Sequence, residues 1–267
     1  MTSPDIRLIA VDMDGTLLDA EGRIPDGLWR LLARLHDRGI AFAPASGRQL
    51  ATLQRQFAAS TVGLDYIAEN GAYVMRDGVE VSSDAVDPAF ARDVIRRVRE
   101  LDHLDVGLVV CGKRSAYVER CDAPFFAEAD RYYARLEVVE DLTAVEDQIL
   151  KLAVFDFALA EHSVAPELFD LRETHQVVVS GKHWVDIMNA GVDKGRALAK
   201  LQEALGIGPE QTMAFGDYLN DLELLRGARW SYAMAEAHPE VAAVARYRAP
   251  SHTEGGVLTV IEELLAR

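Results

Sequence analysis

The chain is predicted to be an α/β protein, a parallel sheet with crossover helices, interrupted by an α+β insertion. Three observations support this. Short apolar runs alternate with helical stretches through the first part of the chain. The same alternation resumes near Lys194. Between them, from about Ser83 to Lys182, strands and helices follow one another without strict alternation. Alternating units build parallel sheets with covered faces, whereas mixed runs build α+β layers. A length of 267 residues suits two domains, or one domain with an insertion.

The elements follow in order. Arg7–Val11 reads as a strand whose last four residues, Leu8-Ile9-Ala10-Val11, are all apolar, as expected of a strand buried on both faces. Pro25–Arg38 carries Leu28, Leu31, Leu32 and Leu35 at helical spacing, with Gly39 as the stop. Ile40–Ala45 is a second apolar run, Gln49–Ala58 a helix, and Tyr66-Ile67-Ala68 a short strand. Arg76-Asp77-Gly78 reads as a hairpin turn between Val74-Met75 and Val79–Val81. In the middle segment, Phe90–Leu101 and Phe125–Leu136 are predicted helices. Val106–Val110, Ser115–Glu119, Leu150–Phe157, Gln176–Ser180 and Trp184–Met188 are predicted strands. The closing part reads as helix Lys194–Leu205 stopped by Gly206, strand Thr212–Phe215 and helix Leu219–Arg226. Shorter units follow near Trp230–Met234, Pro239–Ala245 and Gly256–Ala266.

Composition narrows the function. A hydrophobic content of 49% is enough for a packed core. With 28 basic and 43 acidic residues the net charge is −15, which opposes general binding to nucleic acid or to anionic membranes. The start Met1-Thr2-Ser3-Pro4-Asp5 has no basic, apolar leader, and no apolar run is long enough to span a bilayer. A cytoplasmic protein is expected. Cys111 and Cys121 form no CxxC pair and read as reduced thiols. The seven histidines show no zinc-type grouping, and neither a Walker A loop nor GxGxxG is present.

Four segments carry chemistry: Asp12-Met13-Asp14-Gly15-Thr16, Ser46-Gly47-Arg48, Asp193-Lys194-Gly195 and Gly216-Asp217-Tyr218-Leu219-Asn220-Asp221. Three of them follow strand-like runs, and parallel strand ends gather on one sheet edge. Neighbouring acids repel, so carboxylates gathered there call for a cation, and hard oxygen ligands suit Mg²⁺. A carboxylate can attack phosphorus, an ammonium can offset charge on the equatorial oxygens, and a second acid can move protons. The set is a kit for phosphoryl transfer.

The DxDGT, ASGR, DKG and GDxxND segments, in that order, resemble the haloacid dehalogenase (HAD) superfamily. The long insertion between Ser46 and Lys194 is similar to that of its Cof-type phosphatases with a C2-type cap, and Glu69-Asn70-Gly71-Ala72 resembles a segment common in them. The resemblance implies a Rossmann-like core from 1–82 and 188–267 around an α+β cap at 83–187, the cap closing over the site and selecting the substrate. It implies Asp12 as nucleophile and Mg²⁺ ligand. Asp14 would be general acid/base, with its backbone carbonyl on the metal. Met13 (through its backbone N–H), Ser46, Lys194 and Asn220 would hold phosphate. Asp217 would be a direct ligand and Asp221 a support of the metal shell, while Thr16 and Gly47 would shape the loops.

Simpler roles stand beside several of these: an N-cap for Ser46, helix capping for Asn220, a structural role for Asp221, and a solvated helix-start arginine for Arg48. Tyr218 departs from the small residues common at its position and either narrows the entrance or packs on the surface. His183 and Trp184 either meet substrate or pack, and Phe125, Phe126, Tyr132 and Tyr133 read mainly as core.

The expected activity is Mg²⁺-dependent hydrolysis of a small phosphomonoester through an aspartyl phosphate. Similar proteins act on sugar phosphates, flavin mononucleotide, pyridoxal phosphate or a phosphoribitylaminopyrimidine. The alternatives are a phosphotransferase or mutase using the same intermediate, and a non-catalytic module that binds a phosphometabolite. The expected partner is a small phosphorylated metabolite, with neither nucleic acid nor membrane, and the oligomeric state stays open.

Overall fold

The computed structural model describes residues 4–266, so the reading of Met1, Thr2 and Ser3 as leaderless lies outside the described residues. The chain forms two compact units, one from Met1–Ser82 with Asp193–Arg267 and one from Ser83–Val192.

In the first unit, β1 (Leu8–Asp12) is buried at every position, as expected for a central strand with both faces covered. The next elements are α1 (Gly27–Asp37), β2 (Ala41–Ala45), α2 (Leu50–Gln56), β3 (Tyr66–Ala68), β4 (Tyr73–Arg76) and β5 (Val79–Ser83). Helix α1 buries Leu28, Leu31, Leu32 and Leu35, the stripe that its sequence spacing predicts. Between β4 and β5, Asp77 and Gly78 sit at φ +49° and +77°, the two left-handed positions of a tight hairpin turn.

The second unit contains α3 (Pro88–Arg99), β6 (Val106–Gly112), β7 (Ala116–Val118), α4 (Ala123–Tyr132), β8 (Leu136–Val138), β9 (Ile149–Asp156), β10 (His175–Gly181) and β11 (Trp184–Asn189). Its sheet runs β10-β11-β9-β6-β7-β8, antiparallel except for the β7–β8 pair. Period-two alternation divides the core. Leu108, Val110, Leu152 and Val154 pack with Val94, Ile95 and Val98 of α3. Val109, Cys111, Ala153 and Phe155 pack with Phe125 and Ala129 of α4.

Several sequence expectations are corrected here. Helix α3 starts at Pro88 rather than Phe90, because the Asp87 side chain accepts the N–H groups of Ala89 and Phe90 and Pro88 suits the first helical turn. It ends at Arg99. Helix α4 stops at Tyr132, since Tyr133 is extended, and Leu136–Val138 is a strand paired with β7 and not the end of that helix. The insertion continues past 187, because β11 runs to Asn189 and the unit ends at Val192.

The chain then adds α5 (Lys194–Leu205), β12 (Thr212–Gly216), α6 (Leu222–Arg226), β13 (Trp230–Ala233), α7 (Pro239–Val244), β14 (Tyr247–Arg248) and α8 (Gly256–Leu265) to the first unit. One turn at Leu219–Asp221 precedes α6. The completed sheet is ordered β14-β13-β12-β1-β2-β3-β4-β5. It is parallel from β14 to β3, and β4 turns antiparallel to β3. Strand order reverses at β1, which lies between β2 and the much later β12. Such a reversal opens a crevice at the carboxyl ends of the strands.

Asp65, just before β3, is buried, and burial together with the nearby Asp77 carboxylate raises its pKa to about 6. Its folded value exceeds its unfolded one, so its contribution to stability is present at low pH and is lost as pH rises through about 6. Asp65→Asn is therefore expected to stabilise the protein at pH 7 by up to roughly 3 kcal/mol, with the gain vanishing below about pH 4. Urea unfolding of both proteins across that range measures it.

Candidate active site

Strand register assembles the site. Asp12 at the end of β1 is level with Ala45 of β2, which places Ser46 next along that edge. On the other side Val11 is level with Phe215, so Gly216 and Asp217 follow at the same edge. Lys194 enters as the first residue of α5, behind the N-cap Asp193, whose side chain accepts the Arg196 N–H.

These residues meet through short contacts. The Lys194 ammonium donates to Asp12 Oδ1 at 2.5 Å and to Asp221 Oδ1 at 2.7 Å. Its side chain is only 1% exposed. The other Asp221 oxygen accepts the backbone N–H groups of Asp217 and Tyr218. Thr16 donates its hydroxyl to Asp217 Oδ1 at 2.9 Å. Each of Asp12, Asp217 and Asp221 offers a carboxylate oxygen within 4.8 Å of the others.

Two glycines permit this closeness. Gly15 has φ +77°, and a Cβ there would lie 2.4 Å from Asp217 Oδ2. At Gly216 a Cβ would lie 2.5 Å from the Asp221 Cβ. Any larger residue displaces a carboxylate, and at Gly15 it also strains the backbone.

The electrostatics call for another cation. Burial pushes the Asp12 carboxyl well above its usual range, the Asp221 charge pushes the same way, and Lys194 opposes both. Asp217 is raised first by burial, with Thr16 opposing and Asp221 reinforcing. Burial works against the Lys194 ammonium, but Asp12 and Asp221 hold it above its ordinary value. Three ionised carboxylates around one ammonium leave two negative charges, which a divalent cation balances. The donors are all oxygens, a set suited to Mg²⁺ rather than to zinc. Asp221 has one oxygen on Lys194 and the other on two N–H groups, whereas Asp12 and Asp217, which contact each other, each keep an oxygen held by no ammonium, hydroxyl or N–H group and are the carboxylates available to a metal.

The remaining sequence candidates divide. Ser46 is buried, and its hydroxyl accepts the Arg48 N–H; it does not cap α2, whose N-cap is Gln49. The Met13 side chain is in the core, leaving only its backbone for the site. Asp14 is largely exposed, its carboxylate is not one of the three clustered ones, and it pairs with Arg48. Arg48 is thus not a solvated helix-start residue. Among the described residues, Asn220 is exposed and its side chain makes no hydrogen bond to the cluster.

Tyr218 is 59% exposed beside Asp217 and meets His238 edge-on at 5.8 Å. In the second unit, Trp184 packs against Phe155, Tyr132 and Tyr133, and the His183 ring nitrogen Nδ1 lies within hydrogen-bond distance of the Asp156 and Ala158 carbonyls. Phe125 and Tyr133 are core, whereas Tyr132 is partly exposed. Cys111 is buried and Cys121 exposed, both unbridged. No described helix is long and apolar enough to cross a membrane.

Two contributions were not foreseen from sequence: the Thr16 hydroxyl as an anchor for Asp217, and the left-handed backbone of Glu69 and Asn70 (φ +50° and +55°). The signal for the second was available in Glu69-Asn70-Gly71, since Asn and Gly are the residues that tolerate that conformation.

Residues 9–261 match the haloacid dehalogenase-like hydrolases. The chain belongs to that family. Within the haloacid dehalogenase-like hydrolases it is of the Cof type. It is 34% identical to the 5-amino-6-(5-phospho-D-ribitylamino)uracil phosphatase YbjI of Escherichia coli (strain K12), over 97% of this chain and 96% of that one. It is 28% identical to an HMP-PP phosphatase of Cronobacter sakazakii, over 89% and 87% of the two chains. A solved structure from Eubacterium rectale is similar with a TM-score of 0.87 and 30% identity, covering 97% of this chain and 98% of that one. The chain is accordingly a HAD-type phosphoric monoester hydrolase.

Gly15→Ala tests the crowding at the carboxylates. It is expected to lower kcat/KM for p-nitrophenyl phosphate by about a hundredfold through misplacement of Asp217, with the far-UV circular dichroism spectrum unchanged.

Proposed function

We propose that this hydrolase uses Mg²⁺ and an aspartyl phosphate on Asp12 to hydrolyse a small phosphomonoester. The observation that carries this is the buried Lys194 ammonium held between Asp12 and Asp221, with Asp217 alongside and the charge still negative. Asp12 and Asp217 would hold the ion, joined by the Asp14 carbonyl. The chemistry supplied by Mg²⁺ when bound is neutralisation of charge on the phosphoryl oxygens.

The chain's own residues do the rest. Lys194 holds the Asp12 carboxylate in place, and an oxygen of that carboxylate is the attacking atom. The P–O bond to the leaving group breaks as the Asp12 O–P bond forms, and Asp14 gives its proton to the departing oxygen. Asp14 then takes a proton from water as that water's oxygen attacks phosphorus and frees Asp12. Ser46, Lys194, Asn220 and the Met13 N–H cradle the phosphoryl oxygens in this reading. The uncatalysed reaction is among the slowest known, with enzymes supplying up to ~10²¹-fold, a demand that accounts for so dense a charge cluster.

Similarity to the Escherichia coli phosphatase, spread over nearly all of both chains, makes 5-amino-6-(5-phospho-D-ribitylamino)uracil the first substrate to assay. Sugar phosphates, flavin mononucleotide and pyridoxal phosphate complete the panel. Phosphate released without any acceptor identifies a hydrolase, whereas turnover only with a sugar acceptor identifies a phosphotransferase.

Asp12→Asn is expected to reduce kcat by at least about a thousandfold while inorganic phosphate still binds by calorimetry. Activity retained in that variant would move the nucleophile elsewhere. Millimolar Mg²⁺ is expected to raise the melting temperature by a few degrees, reversibly with EDTA, and Asp217→Asn to abolish the shift.

A further inference from the structure

We propose that Arg48 is a positioning residue that orients Asp14 for proton transfer to the leaving group; this rests on the reading of Asp14 as the general acid. Asp14 leaves β1 on a turn, and its side chain is 68% exposed. A carboxylate so exposed has several rotamers open to it, only some of which can face a leaving group. Among the described residues its hydrogen-bond partner is Arg48: Nη2 donates to Oδ1 at 2.6 Å and Nε to Oδ2 at 3.3 Å. A planar fork of this kind fixes direction as well as distance, which a lysine ammonium does not. The asymmetry suits an acid. The closely held Oδ1 anchors the group, and the loosely held Oδ2 is the oxygen able to carry the proton.

Arg48 is itself held. Its side chain is 22% exposed. Its backbone N–H donates to Ser46 Oγ at 3.2 Å, and its carbonyl accepts the Glu69 N–H at 3.1 Å. The Asn70 N–H donates to the Ser46 carbonyl at 2.9 Å. Glu69 and Asn70 are consecutive residues in the left-handed region, a conformation that persists only where the surroundings enforce it. Their side of the loop is closed as well, since a Cβ on Gly47 would lie 2.9 Å from Asn70 Nδ2. The strained pair braces the Ser46–Arg48 loop, the loop aims the guanidinium, and the guanidinium aims Asp14.

In the first chemical step the bond from phosphorus to the leaving oxygen breaks, the Asp12 O–P bond forms, and the proton on Asp14 moves to the leaving oxygen. An alkoxide needs that proton; p-nitrophenolate departs without it. The test compares kcat/KM, which reports only the steps up to loss of the leaving group, for ribitol 5-phosphate and p-nitrophenyl phosphate. Arg48→Ala is expected to lower the value about a hundredfold for the alkyl ester and less than about threefold for the aryl ester. Arg48→Lys should recover part of the alkyl loss. In an Asp14→Asn background, Arg48→Ala should add no further loss. Equal losses on both esters, no loss on either, or full additivity with Asp14→Asn would overturn the proposal and leave the phosphatase reading intact. Failure of the unsubstituted enzyme to release phosphate from either ester would instead overturn that reading.

Discussion

The structure depends on one buried cation. Lys194 is almost fully removed from water, and an ammonium so placed persists only with its charge answered. Asp12 and Asp221 answer it from a strand end and from a turn far apart in sequence, and Asp221 is steadied by two backbone N–H groups. The arrangement is costly without a further positive charge, because Asp217 adds a third carboxylate. The interaction that anchors α5 to the sheet edge thereby also creates the demand for a metal. Removing the lysine would leave buried carboxylates facing each other, so the same contact holds both the fold and the carboxylate cluster together.

Much of this was legible in the sequence. The buried strand ending in Asp12 and the helix starting at Lys194 carry strong local patterns, and the parallel sheet they imply brings their ends together without further information. The role of Arg48 was not legible, because a helix-start arginine and a guanidinium clamped on Asp14 look the same as letters; loop geometry decides between them. Thr16 was equally silent, since its partner lies 201 residues away. The end of α4 is hidden in the sequence because Tyr132 and Tyr133 continue an aromatic helical spacing, while strand pairing with β7 claims the residues that follow. Non-local pairing overrides local pattern at such places.

The two units use different packing rules. The parallel sheet has near-continuous apolar central strands, and its polar residues gather at one edge. The mostly antiparallel sheet alternates along its central strands, sending Leu108 and Val110 to one face and Val109 and Cys111 to the other. Function-bearing polar side chains stand out in the first arrangement, since they interrupt an apolar run. In the second they merge with ordinary alternation, so strand patterning singles out candidate residues in the first unit and few in the second.

The central position of β1 has a consequence for biosynthesis. Its two neighbours are β2, made almost at once, and β12, which starts at Thr212. On the ribosome, β1 therefore exposes one unpaired edge while the whole of the compact unit Ser83–Val192 is produced. Asp12 waits 182 residues for its lysine. The Asp12 carboxylate is thus among the first groups synthesised and among the last to meet its partner, which ties assembly of the carboxylate cluster to completion of the chain.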